Sequence, residues 1–126
     1  MAITFTNLGN SANPDITTTA SASSYSNTSW TPPTSGLIIL IVESKLGTNP
    51  NVPTVTGNNL TWVNLGNSEF DFGAGAWRGR ITLFAANASG SSTGATTISF
   101  GGQAQNRFDA SFFLAEGVDL DRKSVV

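Results

Sequence analysis

The sequence predicts an all-β sandwich, on three observations. Short apolar runs, several of them β-branched, recur between clusters of Gly, Ser, Thr, Asn and Pro. The spacing from one run to the next, with turn chemistry between, is that of antiparallel strands rather than of βαβ units. No stretch sustains the 3.6-residue apolar period of an amphipathic helix. With 126 residues the chain suits a single domain over 1–126, large enough to bury roughly two-thirds of its unfolded surface around one core. About seven or eight antiparallel strands are expected.

Ile3 and Phe5 alternate with polar neighbours, as in a half-buried first strand. Residues 15–25 (DITTTASASSY) are small and polar and read as an edge strand or a flexible arm. The whole stretch from about 7 to 31 is the least core-like part of the chain, punctuated by Asn13-Pro14 and closed by Thr31-Pro32-Pro33, so an attachment arm is expected there. Leu37-Ile-Ile-Leu-Ile-Val42 is continuous and β-branched, the signature of a central strand covered on both faces. Residues 53–56 and 60–65 flank Gly57-Asn58-Asn59, whose tolerance of positive φ predicts a hairpin.

Residues 70–75 (FDFGAG) form a Gly-rich loop leading into the strand 77–86. In that strand Arg78, Arg80 and Thr82 share one parity and are expected to be wet, while Gly79, Ile81 and Leu83 share the other and are expected to be packed. Short strands follow at 96–100 and 108–115, separated by a Gly101-Gly102 turn.

Composition then restricts function. The chain has no His and no Cys, and 11% of its residues are charged. Imidazole and thiolate catalysis are therefore excluded, and no catalytic residue, cofactor or metal is expected. Glu69 with Asp71, and Asp119 with Asp121, offer oxygen ligands for Ca²⁺ but lack dense loop spacing, so solvated carboxylates are expected. A net charge of −2 with scattered basic residues argues against nucleic acid. The longest apolar run is far short of the ~20 residues that span a bilayer, so no membrane partner is expected. Met1-Ala-Ile-Thr-Phe-Thr lacks the regions of a secretory signal.

The aromatic side chains offer the one candidate interaction surface. Trp77 beside the Gly-rich loop, with Arg78, Phe70, Phe72 and Tyr25, could form a platform that stacks on sugars. Trp62, in the expected hairpin, and Phe100, Phe108, Phe112 and Phe113 are expected in the core. Asn27, Asn59 and Asn87 match the glycosylation pattern, which chance supplies in a chain this rich in Asn, Ser and Thr.

The succession Trp30-Thr-Pro-Pro, Gly36-Leu-Ile-Ile-Leu-Ile-Val, Pro53-Thr-Val-Thr-Gly-Asn-Asn-Leu-Thr-Trp62, Arg80-Ile-Thr-Leu-Phe, Thr97-Ile-Ser-Phe-Gly-Gly and Phe112-Phe-Leu-Ala-Glu-Gly-Val-Asp119 resembles a family of jelly-roll modules. These occur in tailed-phage virion proteins and bacterial surface proteins. The resemblance covers about residues 30–120 and implies a single jelly-roll β-sandwich. It further implies a small non-enzymatic structural protein of the virion, a decoration or cement protein on the capsid surface, assembled in the host cytoplasm. The implied partners are the major capsid protein and further copies of the chain, a homo-oligomer with the trimer favoured. The alternative is a carbohydrate-binding or tail-fibre module that takes glycans.

Overall fold

The computed structural model describes residues 2–10, 12–71 and 77–117. Nine strands are described: β1 (Thr4–Asn7), β2 (Ile16–Thr18), β3 (Ser24–Ser26), β4 (Leu37–Leu46), β5 (Thr54–Gly57), β6 (Val63–Asp71), β7 (Arg78–Asn87), β8 (Thr96–Ser99) and β9 (Arg107–Glu116). They form two antiparallel sheets. The larger runs β1-β9-β4-β7-β6, with β2 also pairing β9, and the smaller runs β3-β8-β5.

The run around Leu37 to Val42 makes the central strand of the larger sheet, as its composition requires. β4 is hydrogen-bonded to β7 along one edge and β9 along the other. Its even-numbered side chains Ile38, Leu40 and Val42 point inward and are no more than 1% exposed. They meet Phe108, Phe112 and Leu114 of β9 and Phe84 of β7 in one core, closed from the other side by Tyr25, Ile98 and Phe100. Aromatic rings bridge the layers. Tyr25 stacks on Phe108 with centroids 4.1 Å apart, Phe100 meets both edge-on, and Trp30 packs against Phe112 at 5.3 Å.

Three expectations are corrected. The segment 7–31 is part of the body and not an arm, because its few large residues are all used. Leu8, Tyr25 and Trp30 are in the core, β2 pairs β9 at residues 108–110, and β1 pairs it at residues 113–116. At the gap between them the backbone N–H of Phe112 donates to the Asp15 carboxylate at 2.9 Å, so the side chain completes the ladder.

The stretch 53–65 is not a hairpin. Gly57, Asn58 and Asn59 do carry positive φ (120°, 60° and 52°), but the turn sends the chain from one sheet to the other: β5 pairs β8 and β6 pairs β7. Gly57 is obligatory there, since a Cβ would lie 2.3 Å from the Ala95 carbonyl oxygen.

The faces of β7 are the reverse of those expected. Arg80 and Thr82 point into the sandwich at 8% and 1% exposure, while Ile81 points out at 42%. The register decides this, pairing Leu40 with Phe84, Val42 with Thr82 and Ser44 with Arg80. Among the described residues β4 is consequently covered on one face, not on both as expected, and its odd-numbered Ile41 is 37% exposed.

The two faces of β4 should respond differently to truncation. Ile38→Ala should cost about 2–5 kcal/mol of unfolding free energy, and Ile41→Ala less than about 1 kcal/mol in dilute solution. Urea unfolding of the two variants, monitored by circular dichroism, checks this. Equal losses would contradict the assigned parity.

Candidate functional site

The aromatic group expected to form a surface is split by the fold. Tyr25 is buried because β3 lies over the core-facing end of β9. Its hydroxyl donates to the Ala20 carbonyl at 2.8 Å and accepts from the Ala22 N–H at 3.1 Å, so it serves the interior and is no part of an outer surface. Trp30 is buried, its indole N–H donating to Thr96 Oγ1 at 3.0 Å. Trp62 packs against the core near Phe112.

Trp77 is 37% exposed, with Lys45 Nζ 4.5 Å from its ring centroid. Arg78 pairs with Asp71 at the same end of the sheet. Phe70 is half-buried and lies opposite Gly79, which lies opposite Lys45, so Phe70 and Lys45 share the outer face. Phe72 falls outside the described residues. Of the five residues singled out from the sequence, three lie at one end of the sheet, Phe70 on its outer face, Arg78 on the parity of Arg80, and Trp77 just before β7 beside Lys45.

Of the carboxylates considered for Ca²⁺, the two that are described have other partners. Glu69 and Asp71 pair with Arg80 and Arg78, and Asp119 and Asp121 lie outside the described residues. Among the described residues no group of three His, Cys, Asp or Glu is placed to hold a metal ion. Among the described residues Arg80 is the charge with the most side-chain hydrogen bonds. Its Nε donates to the Pro50 carbonyl at 2.7 Å, and its two terminal nitrogens donate to Asn67 and Glu69. Three acceptors in fixed directions suit the planar guanidinium, and they explain how a charged side chain is carried inward at the end of the sheet.

A second polar cluster ties the loops around Asn27, Asn58 and Gly94 to β8. Asn58, 5% exposed, donates to the Ser92 and Gly94 carbonyls at 3.2 and 3.0 Å and accepts from Thr96 Oγ1 at 2.5 Å. The Thr96 N–H donates to Asn27 at 2.7 Å, and Asn27 donates to the Pro14 carbonyl. These groups satisfy one another, which gives them a structural part. No nucleophile with an activating base is among them.

The largest feature left open is the outer face of the larger sheet, which the sequence reading assigned to the interior. By register it carries Phe5 on β1, Phe113 on β9, Leu37, Ile39 and Ile41 on β4, Ile81 and Leu83 on β7, and Val63 on β6. Phe5, Val63 and Leu65 are 68%, 53% and 55% exposed. Toward the other end the outward side chains turn polar, with Glu43 opposite Asp109 and Lys45 opposite Arg107. The signal for this face was present in the sequence: Ile39, Ile41, Ile81 and Leu83 are apolar at a spacing of two in the same strands whose alternate residues fill the core.

No family model, curated protein or solved structure matches the chain.

Burial raises the pKa of Tyr25 above its usual value near 10, opposed by the hydrogen bond from the Ala22 backbone. The neutral phenol is thus favoured in the fold, and the unfolded chain ionises first as pH rises. This contribution to stability is complete below about pH 10 and is lost as pH climbs through the folded-state value. Tyr25 is the chain's single tyrosine. Tyr25→Phe should cost about 1–2 kcal/mol at neutral pH through its lost hydrogen bonds, yet show a shallower decline above about pH 10. Denaturation midpoints measured from pH 7 to 11 for both proteins check this.

Proposed function

We propose that this chain is a non-enzymatic structural protein of a tailed-phage virion, a decoration or cement protein seated on the outside of the capsid. One observation carries the reading: the largest chemically distinctive feature of the described surface is a broad apolar sheet face, on a body whose buried polar groups are mostly engaged with one another. A face of that kind serves association.

Strand order supports the jelly-roll assignment. β2, β9, β4 and β7 stand side by side in one sheet and β3, β8 and β5 in the other, so that β2 to β5 alternate between layers along the chain. That alternation is what a two-sheet jelly roll would have, and it supports the reading, although β6 departs from the pattern by pairing β7 rather than standing beside β5. Together with the resemblance over residues 30–120, this supports a virion module more than a free-standing receptor.

A decoration protein performs no reaction. It binds across neighbouring major capsid subunits in the assembled shell and not to the dissociated subunits, and so stabilises the shell by mass action. The end of the sheet carrying Phe70, Trp77 and Arg78 offers an aromatic and a cation for such a contact.

Cosedimentation with empty capsids tests the proposal. Saturable binding, with a rise in the temperature at which the capsid dissociates, is the expected outcome. Absence of capsid binding combined with retention on a glycan array would overturn it in favour of carbohydrate recognition.

A further inference from the structure

We infer that the outer face of the six-stranded sheet is the seat of a second copy of this chain, the two laid sheet on sheet as a two-fold dimer. The inference rests on reading the chain as an association module and names the occupant of its apolar face.

The composition of β4 is the starting point. Leu37 to Val42 is apolar at both parities, as in a strand enclosed from both sides. Among the described residues one side only is enclosed. The other side joins Ile41, Ile81, Val63 and Leu65, at 37%, 42%, 53% and 55% exposure, into one patch extended by Phe5 across β9. With the half-buried Ile39, Leu83 and Phe113 between them, these side chains form an apolar patch that crosses β1, β9, β4, β7 and β6. A patch crossing five strands is of the kind that marks an interaction surface, and a stable interface takes ~800 Å² from each partner.

The size and shape of the face select a second copy. A pleated, twisted sheet is covered best by another sheet of the same twist packed about 10 Å away, and a second copy supplies one with an apolar patch of equal extent. Charge does not oppose the pairing: within the chain's net charge of −2, the outward Glu43, Asp109, Lys45 and Arg107 cancel and stand at one end of the face, where they form a polar rim.

Association by the face is also favoured over association by the sheet edge. The edge strand β6 is interrupted between Asn64 and Gly66 by a bulge, a device that discourages edge-to-edge pairing. A face that packs on its own copy about a two-fold axis closes at two subunits. The geometry therefore points to a dimer in place of the trimer implied by the resemblance.

Sedimentation equilibrium of the purified chain tests this without any capsid. The expected mass is twice 13.1 kDa at about 100 µM and falls toward that of the monomer on dilution. Ile81→Glu and Leu65→Glu should each weaken dimerisation at least about 100-fold, because a carboxylate would be buried without a partner. Val52→Glu, at an exposed apolar residue in the loop before β5, should leave it unchanged. A wild-type chain that sediments as a monomer or a trimer overturns the inference, as does a dimer that survives both face substitutions. The wild-type mass is read independently of the variants, so a variant that fails to fold does not shelter the inference. A monomer that still binds capsids would remove the dimer and leave the decoration reading standing. A dimer that ignores capsids would do the reverse.

Discussion

The parity of β7 is the constraint on which the rest of this molecule depends. Side chains alternate between sheet faces, so one choice of register assigns every residue of the strand at once. Here Phe84 goes inward opposite Leu40, which also takes Thr82 and Arg80 inward and leaves Ile81 and Leu83 outside. A buried guanidinium is tolerable only with its donors occupied. The Pro50 carbonyl, Asn67 and Glu69 occupy them, and the turn before β5 is thereby fixed to the end of the larger sheet. The same turn is held from the smaller sheet, where Asn51 donates to the Phe100 carbonyl and Gln103 to the Asn49 carbonyl. Arg80 thus supports both the strand parity and the junction of the layers.

Between the layers the large aromatics supply most of the buried apolar surface, and small polar residues supply direction. Tyr25, Phe100 and Phe108 pack as a three-ring cluster near β3, while Trp30 and Trp62 flank Phe112 further along. Hydrophobic burial is non-directional and would permit sliding. The linked bonds of Trp30, Thr96 and Asn58 are directional, and they tie the segment before β4 and the turn after β5 to β8 of the smaller sheet.

Much of this was legible in the sequence, and the failures have physical causes. β4, β8 and β9 were marked by β-branched and aromatic runs with turn residues on either side. Gly57-Asn58-Asn59 was rightly read as a place where φ becomes positive, but turn chemistry is local and does not reveal which sheet the next strand joins. The 7–31 segment was misjudged because composition averages over residues, whereas Leu8, Tyr25 and Trp30 fill the core one at a time. Arg80 was expected in water because a charge usually is; its three acceptors come from residues 50, 67 and 69, and only folding brings them together. Trp77 beside a Gly-rich loop was legible as an exposed aromatic, whereas Tyr25 carried no local sign of its burial.

The outer face follows from that parity, and with it the view of this chain as a protein that works by association. Because the chain contains no Cys, single cysteines report on strand faces without background. The decisive comparison is the thiol-labelling rate of Ile81→Cys and Thr82→Cys in dilute native solution. Fast labelling at position 81 and strong protection at position 82 are expected. Faster labelling at 82 than at 81 would contradict the parity of β7, because Arg80 and Thr82 would then face solvent and the apolar outer face would not exist.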